Sequence, residues 1–317
     1  MIIAFLCGGL GNQMFQYAAA RRLAQFRQAE LKLDLSEYRG GMDQRPAGLQ
    51  AFRRRVGVYD LAITAKEASP EEIAQLKDPF ADRSATSRIV RQLRRLKPGL
   101  LQPASDVGEK SYRFDPAVLE LSGDVYLHGF WQSEKYFTDV ASLIRREFTA
   151  KNPAIGKYAC DYVATLRHSN GPIVSLHVRR GDLAVAFESP HLRHTVHGKP
   201  VSIEYIKSAI ARFSSDHRFL VFSDSANDIQ WCRQTLRGEG IPQDRLLYSD
   251  GHSDIQDMAI MSACDHHVIA NSSFSWWAAW LNPSPGKRVI APSVWSPAGT
   301  ANAIVTDDLI PADWEMV

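Results

Sequence analysis

The sequence predicts an α/β protein built on parallel, helix-covered sheets. Three observations predict it. The chain opens with an unbroken apolar run at residues 2–7, then a glycine-rich turn, a helical stretch and a second short apolar segment. Beyond residue 153, helical and strand-like segments alternate regularly. Three of those strand-like segments stop abruptly in polar clusters. Alternation of this kind belongs to crossover connections between parallel strands. Strands buried on both faces read as continuous apolar runs.

Residues 2–7, IIAFLC, read as a first core strand. The run is too short to span a bilayer and lacks the basic flank of a signal peptide. Gly8, Gly9, Leu10, Gly11 and Asn12 make the turn. A helix from Gln13 to about Arg27 carries Phe15, Ala18, Ala19 and Leu23 on one side. Residues 31–35 return as a second strand. Residues 36–110, with scattered proline and arginine, show no usable periodicity. Residues 124–130 alternate like a strand, and a helix is expected from Glu134 to about Phe148. The polar stretch 149–153 places a boundary between a first domain, 1–150, and a second, 151–317, and 317 residues fit about two domains. In the second domain, helices are expected at 153–167, 202–213, 227–237, 254–264 and 274–281. Strands are expected at 172–178, 218–222, 246–248, 267–270 and 288–291.

The chain is 45% hydrophobic and 23% charged, enough to bury a sizeable core. With 37 basic against 35 acidic residues it has no overall field that would draw it to nucleic acid. Residues 87–97, SRIVRQLRRLK, form a basic amphipathic segment. It reads as an ordinary surface helix or as a peripheral contact with the anionic inner membrane surface. Cys7, Cys160, Cys232 and Cys264 are far apart and read as free thiols in a reducing, cytoplasmic setting.

The chemistry gathers at strand ends. One strand delivers His177, Arg179, Arg180 and Asp182, the next Ser223, Asp224 and Ser225, and a third Asn271, Ser272 and Ser273. In a parallel sheet these clusters share one edge, where α/β proteins bind ligands. Two guanidinium groups there suit a diphosphate, because their planar forks match phosphate oxygens in pairs. Ser272 or Ser273 is suited to cap the helix that follows. Its free amides either bind an anion or simply end a capped, buried helix. Asp224 either accepts from guanine N1 and N2 or is a turn residue. The amino-terminal turn is no dinucleotide fingerprint, since Gly8, Leu10 and Gln13 would fill its glycine positions. Glycine still permits close backbone approach, and Asn12 and Gln13 offer amides. Neither a DxD nor an HExxH pattern occurs, so no metal is expected and arginine would neutralise a leaving diphosphate.

Together, GGLGNQMFQYA, HVRRGD, FSDS and NSSFSWWAAWLN resemble the α-1,2-fucosyltransferases of glycosyltransferase family 11, bacterial branch, from residue 2 to about 295. The resemblance implies a GT-B fold of two facing Rossmann-like domains, the first on the acceptor side and the second binding donor. It implies GDP-β-L-fucose as donor, a terminal galactose of a glycan as acceptor, and inversion to an α-1,2 linkage without cofactor or metal. The setting it implies is O-antigen synthesis. By position, Arg179 would hold the β-phosphate and His177 would lie near the nucleoside. Asp224 would read guanine. Asn271, Ser272, Ser273 and the Phe274 amide would hold phosphate oxygens, and Gly11, Asn12 and Gln13 would line the cleft from the first domain. Asp182 is the first candidate base, with a salt bridge to Arg180 as its alternative role, and Glu188 is the second. Acceptor contacts are expected in the 184–200 loop, at Glu188, His191 and His194. The chain departs from the family pattern at Leu183, where an aromatic residue is frequent. The alternatives are a GT-B enzyme using another nucleotide sugar or linkage, or an inactive glycan-binding relative.

Overall fold

The computed structural model describes residues 1–39, 54–77, 105–167, 171–189, 200–295 and 306–317. Two sheets form. The first has the order β3-β2-β1-β5-β4, from β1 (Ile2–Phe5), β2 (Leu31–Asp34), β3 (Lys66–Glu67), β4 (Asp106–Gly108) and β5 (Val125–His128). The second has the order β11-β10-β9-β6-β7-β8. Its strands are β6 (Ile173–His177), β7 (Arg218–Phe222), β8 (Leu246–Tyr248), β9 (His266–Val268), β10 (Val289–Ala291) and β11 (Glu315–Met316). The described ladders are parallel, for example Ile2 opposite Leu31 and Val125, and Val174 opposite Phe219 and His266.

Position in the sheet explains the apolar runs. β1 lies between β2 and β5, and Ile2, Ile3 and Ala4 are buried. β6 lies between β9 and β7, and all five of its residues are buried. Two facing parallel sheets of this kind are the α/β, GT-B-type architecture expected from the sequence.

Three local readings change. The helix expected over 134–148 is two short 3-10 turns, Glu134–Tyr136 and Thr138–Val140, followed by a helix over Ala141–Glu147. The break turns Phe137 onto the tryptophans described below. The residues after Arg180 are helical over Gly181–Glu188, where a loop was expected from 184. Within 36–110, two edge strands, β3 and β4, and a helix over Pro70–Lys77 appear. The basic segment 87–97 and His191 and His194 lie outside the described residues. Among the described residues no helix is long and apolar enough to cross a membrane. All four cysteines are unpaired.

One buried cluster runs through both halves of the chain. The Leu10–Arg27 helix packs on the Ser273–Leu281 helix. Phe15 meets Trp276 and Trp277 with ring centroids 4.5 and 4.9 Å away. Phe137 and Phe148 meet Trp277 at 5.2 and 5.0 Å. Buried indoles need a partner for their N–H. Trp276 donates to the Leu309 carbonyl at 2.8 Å, Trp277 to the Gly11 carbonyl at 3.0 Å, and Trp280 to Glu134 Oε2 at 2.9 Å. The apolar stripe SFSWWAAWL is therefore the seam that joins the two halves.

Candidate active site

A cavity of about 550 Å³ lies at the carboxyl ends of both sheets. Gly8 to Asn12 reach it beyond β1, and Phe130 and Gln132 beyond β5. From the second sheet come His177 at the end of β6 and Arg179 beyond it, Ser223 to Ala226 beyond β7, Asn271 to Phe274 beyond β9 and Trp295 beyond β10. Strand direction alone brings these groups together, because parallel strands end on one side.

The β6 cluster is held by its neighbour. The Val178 amide donates to the Phe222 carbonyl at 2.9 Å, and the Arg180 amide donates to Asp224 Oδ2 at 2.8 Å. Gly181 has φ +28°, and a Cβ there would lie 2.9 Å from Asp224 Cγ, so HVRRGD needs its glycine. Arg179 donates to Asp182 Oδ1 at 3.2 Å, and Arg54 donates to Asp182 Oδ2 at 2.8 Å. Asp182 is buried, and these two guanidinium groups are among its partners. Arg180 stacks 3.6 Å over Trp231 and pairs with Asp228 at 3.5 Å, so it braces the loop.

Burial sets the protonation of two of these groups. His177 is 5% exposed, and desolvation, helped by the Arg179 charge, lowers its pKa to about 3. The imidazole is therefore neutral, and its Nδ1 is buried without a hydrogen-bond partner. Burial raises the pKa of Asp224, with the Arg179 charge and the Arg180 amide opposing it.

At the third cluster, Ser272 caps the Ser273–Leu281 helix by accepting from the Phe274 amide at 3.3 Å. Ser273 Oγ donates to Asn12 Oδ1 at 2.6 Å, and Gln132 Nε2 donates to the same oxygen at 3.0 Å. Gly11 backs directly onto this helix end: a Cβ would meet the Phe274 nitrogen at 2.5 Å. Asn271 Nδ2 donates to the Trp295 carbonyl at 3.2 Å.

Most of the residues singled out in the sequence come together: Gly11, Asn12, His177, Arg179, Asp182, Asp224, Asn271, Ser272, Ser273 and Phe274 all line the cavity. Gln13 does not. It is fully buried, its oxygen accepts from the Gly57 and Val58 amides, and its nitrogen donates to the Gly8 and Arg55 carbonyls. Its amide is spent on positioning residues 54–58, and with them Arg54. Glu188 is also outside the cavity, its side chain exposed and 3.8 Å from Arg180. Leu183 is buried and faces no ligand space. The cavity also contains Arg54, Tyr112, Phe130, Gln132 and the stretch after β8, including Ser249, Asp250 and His252. That stretch obeys the same strand-end rule, which could have found it. Arg54 and Tyr112 come from segments with no periodic signal. Among the described residues no group of three or more histidine, cysteine or acidic side chains is arranged to hold a metal.

The sequence profile of glycosyl transferase family 11 matches residues 110–308, which contain the three strand-end clusters of the second sheet. The chain belongs to glycosyl transferase family 11. An α-1,2-colitosyltransferase from Escherichia coli is 30% identical to it, over 99% of this chain and 98% of that protein. The O-antigen biosynthesis glycosyltransferase WbnK of Escherichia coli is 28% identical, over 96% and 98%. Galactoside α-(1,2)-fucosyltransferase 1 of Saimiri boliviensis boliviensis is 26% identical, over 86% of this chain and 63% of that one. Among solved structures, the fucosyltransferase NodZ from Bradyrhizobium is 17% identical with a TM-score of 0.46, over 94% of this chain and 96% of that one.

Proposed function

We propose that this family 11 glycosyltransferase moves L-fucose from GDP-β-L-fucose to the 2-hydroxyl of a terminal galactose in a surface glycan such as an O-antigen. The reaction would invert the anomeric centre and need no metal. The observation that carries the reading is that Arg179, the serine-capped helix terminus and Asp224 line one cavity. The guanidinium would take the charge that develops on the leaving diphosphate, in a site already organised for it. Ser272, Ser273 and the first helix amides would add donors. Neutral His177 would lie against the nucleoside, and Asp224 would accept from guanine.

The sugar passes through an oxocarbenium-like state, as in glycoside hydrolysis, and the acceptor hydroxyl attacks from the face opposite GDP. That hydroxyl loses a proton. Asp182 is the carboxylate for it: it borders the cavity beside Arg179, and a diphosphate would draw Arg54 and Arg179 towards itself.

A second reading concerns the donor sugar. The Escherichia coli relative at 30% identity is named a colitosyltransferase. Colitose is fucose without its 3-hydroxyl, so the same linkage chemistry serves either sugar. Product analysis separates the two. The protein is given GDP-fucose or GDP-colitose with a panel of galactosides, with and without EDTA, and the linkage is read by NMR. The expected product is an α-1,2-fucosyl galactoside formed equally well with chelator. Product from GDP-colitose alone would move the assignment to colitose, and loss of turnover in EDTA would end the metal-free mechanism.

A further inference from the structure

The wall of the cavity built by the first sheet carries an aromatic surface that is not among the groups assigned above to the donor. Tyr112 and Phe130 line it with centroids 6.2 Å apart and ring planes 20° from parallel. Both are only partly buried. Beside them, Gln132 donates to Asn12, while its own Oε1 is buried without a partner.

The backbone that presents these groups is unusual and firmly held. Trp131 adopts a left-handed φ of +55° and Gly129 a φ of +150°. A Cβ on Gly129 would lie 2.4 Å from Glu109 Cβ. Glu109 accepts from the Phe130 amide at 2.7 Å and from the Trp131 amide at 3.0 Å. Gln16 donates to the Gly129 carbonyl at 3.0 Å, and the Trp131 ring is fully enclosed against Tyr136. Strained conformations persist only where the surroundings over-determine them, and they gather at ligand sites. Here the result is a bulky aromatic ring and an amide turned into the cavity.

We propose that Tyr112, Phe130 and Gln132 form the acceptor-sugar subsite and hold the terminal hexose by its apolar face. This deepens the reading above and rests on it for the cavity's role in glycosyl transfer. A pyranose offers polarised C–H bonds on its flat face, and an aromatic ring offers a negative face to receive them. Galactose, with its axial 4-hydroxyl, gathers the hydrogens of C3, C4 and C5 on one side. Its hydroxyl rim needs polar partners, and Gln132 Oε1 is a free acceptor. Asn12 Oδ1 accepts from both Gln132 and Ser273, which couples this wall to the donor-side helix terminus.

The test reads acceptor binding without transfer, by saturation-transfer NMR with methyl hexopyranosides in the presence of GDP. The wild-type chain should bind methyl β-galactoside. Phe130→Ala should weaken that binding about tenfold or more, with GDP affinity by calorimetry changed less than about twofold. Phe130→Tyr should restore it. If Phe130→Ala does not fold, Tyr112→Ala carries the same expectation. Unchanged galactoside binding in a folded variant, an equal loss of GDP affinity, or no hexoside binding by the wild type would overturn the proposal. Galactoside binding with no fucosylated product would instead overturn the functional reading and leave this subsite standing.

Discussion

Both oxygens of Asp182 are engaged by guanidinium groups, Arg54 from the first half of the chain and Arg179 from the second. Such a carboxylate can do two jobs in sequence: orient the arginines before the donor arrives, and accept a proton once the diphosphate has taken them over. Asp182→Asn keeps the shape and removes the basicity. It should lower kcat about 100-fold or more, with GDP affinity changed less than about tenfold. Steady-state kinetics beside a GDP titration decide the point. A loss wholly in GDP affinity, with kcat intact, would leave Asp182 a positioning residue and nothing more. His177, Arg179, Asp182, Asp224 and Ser273 were legible in the sequence because each sits in a short polar burst closing an apolar strand. Arg54, Tyr112 and Phe130 were not. Arg54 and Tyr112 are brought in by tertiary packing, from stretches whose own composition carries no pattern, and Phe130 follows a strand whose end holds no polar cluster. Gln13 misled for a related reason: an amide beside a glycine turn looks like a ligand group until its four backbone partners are seen.

At the scale of elements, the Ser273–Leu281 helix has two duties. Its first residues border the ligand cavity, and its tryptophans bury themselves against the Leu10–Arg27 helix and Phe137. Site and seam are one rigid piece, so damage to the seam should reach the site. Trp277→Ala removes the ring at the centre of five aromatic neighbours and the hydrogen bond to Gly11, and should cost ~3–5 kcal/mol in equilibrium urea unfolding. A cost below about 1 kcal/mol would show that the two halves are held together elsewhere. The helix was legible as a capped apolar run, and its role as a seam was not, since a stripe apolar on all sides does not name its partner. The 134–148 stretch shows the converse. Tyr136, Val140 and Ile144 keep helical spacing and are all buried, yet Phe137 has φ −148° and ends the turn. Packing of its ring on Trp277 overrides local periodicity.

At the scale of the whole molecule, two parallel sheets each bring the carboxyl ends of their strands to one cavity. The topology thus gathers chemistry from distant parts of the sequence without any single motif having to hold it all. The alternation beyond residue 153 announced β6 to β10 of the second sheet, because short strands there alternate with helical stretches, while the two-residue edge strand β11 was missed. The edges of the first sheet were hidden, since β3 and β4 pair through only two and three residues. The central claim is that this cavity cradles a nucleoside diphosphate by means of Arg179. Calorimetric titration of GDP into the wild-type chain and into Arg179→Ala tests it most directly. The account predicts clear GDP binding by the wild type and a loss of at least about tenfold in the variant. GDP binding of equal strength in both proteins would contradict it.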